Sequence, residues 1–98
     1  MTEYIYLLQE REFINSNKDI YKIGRTKQEN LKRFSNYPKG SKLLFQIICN
    51  DSKVLEHKIL IKFRQKYISR KDIGAEYFEG DHTEMINDIF DVIKNGSH

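Results

Sequence analysis

The chain has 98 residues, a formal net charge of +3, 39% hydrophobic and 32% charged residues, and one cysteine. That size bounds it to one domain, expected over residues 1–95, with 96–98 as a tag remnant or disordered tail, and the lone Cys49 excludes an internal disulfide framework. No apolar run is long enough to span a bilayer or serve as a secretory signal, so no membrane partner is expected and an intracellular location, cytoplasmic or nuclear, is.

The charge is unevenly spread. Of 17 basic residues, 15 fall between Lys18 and Lys71, where the only acids are Asp19, Glu29, Asp51 and Glu56. The stretch from Asp72 to Asp91 reverses this, with seven acids and no Lys or Arg. A basic middle with interleaved Tyr and Phe fits a polyanion, nucleic acid before a membrane surface.

In chain order, Glu3 to Gln9 alternates as a strand, with Tyr4, Tyr6 and Leu8 on one face and Ile5 and Leu7 on the other. The polar segment Glu10 to Asp19 reads as a long hairpin connection to a second strand beginning at Ile20. There Tyr21 and Ile23 share one face and Lys22 and Gly24 the other, so Tyr6 and Lys22 can face the same way. Gly24 leaves a gap where a backbone or ligand can come close. Thr26, with Glu29 three residues on, reads as the capping box of a helix that carries Arg33 and Tyr37 on one face and stops before Pro38.

Leu43 to Cys49 reads as a third strand, with Leu43, Phe45, Ile47 and Cys49 on one side. Asn50-Asp51-Ser52 offers N-caps for a helix to about Tyr67, on which Leu55, Ile59 and Phe63 repeat every four residues. Glu56 flanks that stripe and is the only carboxylate in a long basic helix. Ser69 to Gly74 reads as a basic loop and Glu76 to Gly80 as a short aromatic run. A last helix follows, capped by Asp81 or Thr83. Ile86, Ile89, Phe90 and Ile93 form its apolar stripe, and Glu84, Asp88 and Asp91 its solvated face. Walker glycine loops, metal-binding Cys or His spacings and Ser-His-Asp patterns are all absent from the sequence.

Tyr4-Ile5-Tyr6, then Lys22-Ile23-Gly24, Arg33, Tyr37 and the helical Glu56 resemble, in order and spacing, the GIY-YIG nuclease superfamily. The likeness covers roughly residues 3 to 80. Leu55-Glu56-His57 through Phe63 and on to Gly74-Ala75-Glu76-Tyr77-Phe78 looks like its small stand-alone branch of phage and large-virus proteins. Tyr4 stands where the first triplet normally has glycine and Lys22 where the second has tyrosine. Some members are similar in carrying lysine there.

The resemblance implies an α+β fold, a small three-stranded antiparallel sheet flanked by helices. It also implies a metal-dependent endonuclease that hydrolyses DNA phosphodiester bonds at a single-metal site. Glu56 would hold one divalent cation, Mg²⁺ or Mn²⁺, and Lys22 or Tyr6 would orient and deprotonate the attacking water. Arg33 would neutralise charge on the phosphoryl oxygens, and Tyr37 would hydrogen-bond to the phosphate or help place the water. Arg25, Lys39, Lys42, His57, Lys58 and Lys62 are candidates for tracking the DNA backbone, contacts that position without specifying sequence. A partner protein could supply specificity, RNA stays open as a substrate, and the alternative function is a non-catalytic nucleic-acid-binding module.

Overall fold

In a computed structural model, which describes residues 2–27 and 37–96, the run Glu3–Gln9 forms an interior strand, β1. It is followed by α1 (Arg11–Asn15), β2 (Ile20–Thr26), β3 (Lys42–Cys49), α2 (Ser52–Lys66), β4 (Ile68–Ser69), β5 (Tyr77–Glu79) and α3 (His82–Gly96). The strands form one sheet in the order β3-β1-β2-β5-β4, and every pairing is antiparallel. Ile5, Tyr6, Leu7 and Leu8 are all buried, so both faces of β1 are shielded from solvent.

The fold is α+β as expected, but among the described residues the sheet has five strands, not three. β4 has two residues and β5 three, too short for a period-2 pattern to show against the loop residues around them. They pair with each other, and β5 pairs with β2 through Tyr21↔Phe78 and Lys22↔Tyr77. The polar connection after β1 also holds a helix. Its one buried side chain, Phe13, pins α1 to the sheet, with its ring centroid 6.5 Å from that of Tyr77.

One face of the sheet carries the main core. Ile5, Leu7, Tyr21 and Ile23 meet Leu55, Ile59 and Phe63 of α2 and Met85, Ile89 and Ile93 of α3. Each fully buried side chain of this kind contributes roughly 1.5–3 kcal/mol over leaving it exposed. A register shift between Leu7 and Leu8 alters the expected third strand: Phe45 and Ile47 pair with Leu7 and Ile5, while Leu43 pairs with Leu8. Leu43 therefore leaves the face it was expected to share with Phe45, and Leu44 packs on the core instead.

The helix ends are tied by side chains. Asp51 adopts a left-handed conformation (φ 54°) and makes no side-chain cap. Glu3 takes its place, accepting from the Ser52 backbone N–H at 2.9 Å and the Ser52 hydroxyl at 2.6 Å, which fastens α2 to the start of β1. At α3 the Asp81 carboxylate accepts from Thr83 N–H at 2.8 Å, as one of the two expected caps. Along α3, Met85 replaces Phe90 in the buried stripe, and Phe90 is exposed. Asp88, expected on the solvated face, is buried, where Tyr67 donates to it at 2.6 Å and Lys66 at 3.1 Å. Among the described residues, no helix is long and apolar enough to cross a membrane.

Candidate active site

The second face of the sheet places the strand-borne site residues. Antiparallel pairing sets Tyr6 opposite Gly24 and Leu8 opposite Lys22, so Tyr6 and Lys22 do share a face. The Tyr6 ring lies directly over Gly24, and a Cβ there would run into its Cζ and hydroxyl oxygen. The expected gap above Gly24 is thus filled by the chain's own tyrosine.

That ring aims the Tyr6 hydroxyl at Tyr37, 2.8 Å away, and the two rings meet edge to face. Lys22 Nζ donates to the Tyr37 hydroxyl at 2.7 Å and stands 4.9 Å from the centre of that ring. An ammonium can only donate, so the Tyr37 oxygen accepts from Lys22 and its own O–H can be the donor to Tyr6. On its other side Lys22 Nζ lies 4.0 Å from Glu76 Oε2. Three sequence-predicted residues, Tyr6, Lys22 and Tyr37, are therefore linked by short polar contacts.

Glu56 reaches the same place from α2. The helix is held by the Glu3–Ser52 cap and by Leu55, Ile59 and Phe63 in the core, which leaves the Glu56 side chain at the core edge with 13% exposure. Arg25 Nε stands 3.6 Å from its Oε1. Tyr6, Gly24, Arg25, Thr26, Lys27, Glu56 and Glu76 together line a cleft of about 440 Å³. Burial pushes the Glu56 carboxyl above the ordinary carboxylate value and Glu76 adds to this, while Arg25 and Lys22 pull it back.

The donor set decides which ion could sit there. Glu56 and Glu76 offer hard carboxylate oxygens, and neither His nor Cys is among the residues lining this cleft. Among the described residues there is no group of three or more His, Cys, Asp or Glu able to hold a metal. One or two carboxylates completed by water and substrate phosphate is the manner in which Mg²⁺ is held, so the residues fit Mg²⁺ or Mn²⁺ better than zinc.

The backbone-tracking candidates separate. Arg25 and His57 line a second cleft beside the first, together with Lys53, Val54, Glu56 and Leu60. Lys58 and Lys62 instead line a hollow with Asp91, Val92 and Asn95, and Lys62 Nζ lies 3.4 Å from Asp88. Two helical positions apart means opposite sides of the cylinder, so Lys58 could not share the Glu56 side. Lys39 offers its carbonyl to Arg11 at 3.3 Å, Lys42 is exposed on β3, and neither is among the residues lining the two clefts. Arg33 and most of the helix expected between Thr26 and Pro38 lie outside the described residues, and Thr26 itself ends β2.

Glu76 was missed in the sequence, where it reads as an ordinary member of the aromatic run. Its place follows from the pairing of β5 with β2: Ile23 N–H donates to the Glu76 carbonyl at 3.0 Å, which brings its side chain beside Lys22. Only that pairing could have signalled it.

Compared with known proteins, residues 3–94 match the family model described as the T5orf172 domain. No curated protein and no solved structure gives a significant match.

Proposed function

The chain belongs to the T5orf172 domain family, a phage-derived domain found in some nuclease-like proteins, and on that premise we propose that it is a metal-dependent endonuclease of the GIY-YIG kind that hydrolyses DNA phosphodiester bonds. The observation that carries the reading is that one polar cleft receives Tyr6, with its hydroxyl contact to Tyr37, from the sheet and the Glu56 carboxylate from α2. An intracellular setting, where DNA and free Mg²⁺ occur together, goes with it.

In this reading Glu56 holds one Mg²⁺ or Mn²⁺, which when bound supplies Lewis-acid polarisation of the phosphate. Tyr6, as phenolate, orients the attacking water and takes its proton while the new oxygen–phosphorus bond forms and the bond to the leaving sugar oxygen breaks. Lys22 donates to Tyr37, which leaves the Tyr37 O–H as the donor to Tyr6 and the base role to Tyr6. Arg33 keeps the role the resemblance implies, neutralising charge on the phosphoryl oxygens. Arg25 and Lys27, at the cleft wall, attract the flanking phosphates.

The test is incubation of end-labelled DNA with the chain in Mg²⁺, in Mn²⁺ and in EDTA, beside a gel-shift series at rising salt. Cleavage confined to the metal-containing samples supports the nuclease. Salt-sensitive binding with no cleavage in either ion overturns it in favour of a non-catalytic binding module.

A further inference from the structure

The two clefts that meet at Glu56 differ in chemistry. The first is polar, walled by Arg25, Thr26, Lys27, Glu56 and Glu76. The second, about 660 Å³, is mostly apolar: Val54 and Leu60 line it together with Arg25, Lys53, Glu56 and His57. Val54 is 46% exposed, which leaves an aliphatic side chain facing solvent beside three basic residues. The helical period explains the grouping, because Lys53 and His57 stand four apart and Leu60 follows His57 by three. Arg25 and Glu56 belong to both clefts, so the two adjoin, and a strand with one phosphate in the first can carry its next nucleotide into the second.

What that nucleotide presents depends on whether it is paired. In a duplex the base is stacked away and the protein meets sugar and phosphate, which offer aliphatic side chains much less apolar surface than a base face does. An unpaired base has an apolar face that can lie on Val54 and Leu60 and stack on the His57 ring or the Arg25 guanidinium, with Lys53 near its phosphate.

We propose that the second cleft is a subsite for an unpaired nucleotide adjoining the phosphate held at Glu56. The substrate class is then DNA with a single-stranded stretch at the cut (a gap, flap or loop) in preference to uninterrupted duplex. This rests on the nuclease reading for the role of the first cleft, although the subsite itself is tested by binding alone.

The experiment is fluorescence anisotropy in EDTA, comparing a labelled duplex with the same duplex carrying a short central gap. The expected result is about tenfold tighter binding of the gapped DNA, within what one stacked base contributes. Val54→Asn, an uncharged change at an exposed position, brings the ratio of the two affinities close to one, and Val54→Phe keeps or raises it. Equal affinities in the unchanged chain overturn the subsite while leaving the nuclease reading in place, as does a Val54→Asn effect of equal size on both DNAs. Failure to bind either DNA at low salt also overturns the subsite, and cleavage in Mg²⁺ or Mn²⁺ decides the nuclease reading separately.

Discussion

Arg25 Nε lies 3.6 Å from Glu56 Oε1, so the carboxylate that would take the metal is paired with a cation from the neighbouring strand. Burial and Glu76 raise the Glu56 carboxyl above its ordinary value, and Arg25 counters them. Arg25→Gln should therefore move the Glu56 titration upward, and Glu76→Gln should move it downward. Carboxyl-carbon NMR titration of metal-free protein measures both, and shifts in the same direction for the two variants would contradict this electrostatic assignment.

The same raised carboxyl has a consequence for stability. A carboxyl whose folded value exceeds its unfolded one is favoured in its protonated form, so the fold loses stability as pH rises from the ordinary carboxylate range through the folded value. The penalty is absent at lower pH and constant at higher pH. Glu56→Gln removes it, and the variant should melt above the unchanged chain near about pH 7 and together with it near about pH 3. A variant less stable at neutral pH would mean that the Arg25 pair outweighs the burial of the charge.

Gly24 and Tyr6 form one packing unit, since a Cβ at Gly24 has no room beneath the Tyr6 ring. Gly24→Ala should cost about 1–3 kcal/mol, as overpacking of a filled site does. In a double-mutant cycle read by urea denaturation, that cost should largely vanish in a Tyr6→Ala background. Additive costs would show that the methyl clashes with something else. Tyr6→Phe keeps the packing and removes the hydroxyl, so it should lower cleavage by roughly 10²–10⁴, the usual contribution of a general base, without weakening DNA binding.

Asp88 gathers Tyr67, Lys66 and Lys62 between α2 and α3. Burial pushes its carboxyl up, but the hydrogen bonds from Tyr67 and Lys66 and the charge of Lys62 outweigh this and hold it below the ordinary value. Its stabilising effect is thus present above the ordinary carboxylate range and lost as pH falls through the folded value. Asp88→Ala should destabilise by about 1–3 kcal/mol, because it strands the partly buried Tyr67 hydroxyl. Lys62→Ala should change DNA affinity little, as Lys62 is engaged with Asp88, and anisotropy titration checks this. A large loss of affinity would return Lys62 to the DNA-contacting set.

Much of this was legible in the sequence, and the rest was hidden for definite reasons. Alternation put Lys22 and Gly24 on one face, and spacing on α2 set Leu55, Ile59 and Phe63 in the core with Glu56 at its edge. Strand pairing was not legible, so the register that lays Tyr6 over Gly24 and the β2–β5 contact that delivers Glu76 had to come from the structure. Leu43 changed face because of a bulge that no period-2 pattern announces. Asp88 reads as solvated until Tyr67, twenty-one residues earlier, is seen to reach it. Lys58 and Lys62 were a different matter: the period of α2 already set them apart from Glu56.

The most direct test of the central claim is nicking of supercoiled plasmid in Mg²⁺ or Mn²⁺ by the unchanged chain and by Glu56→Gln, at concentrations giving equal DNA occupancy. The unchanged chain should nick the plasmid and stop when EDTA is added, while Glu56→Gln should bind it and leave it intact. Equal nicking by the two proteins would contradict the account, because the carboxylate at the edge of the core would then have no part in the chemistry.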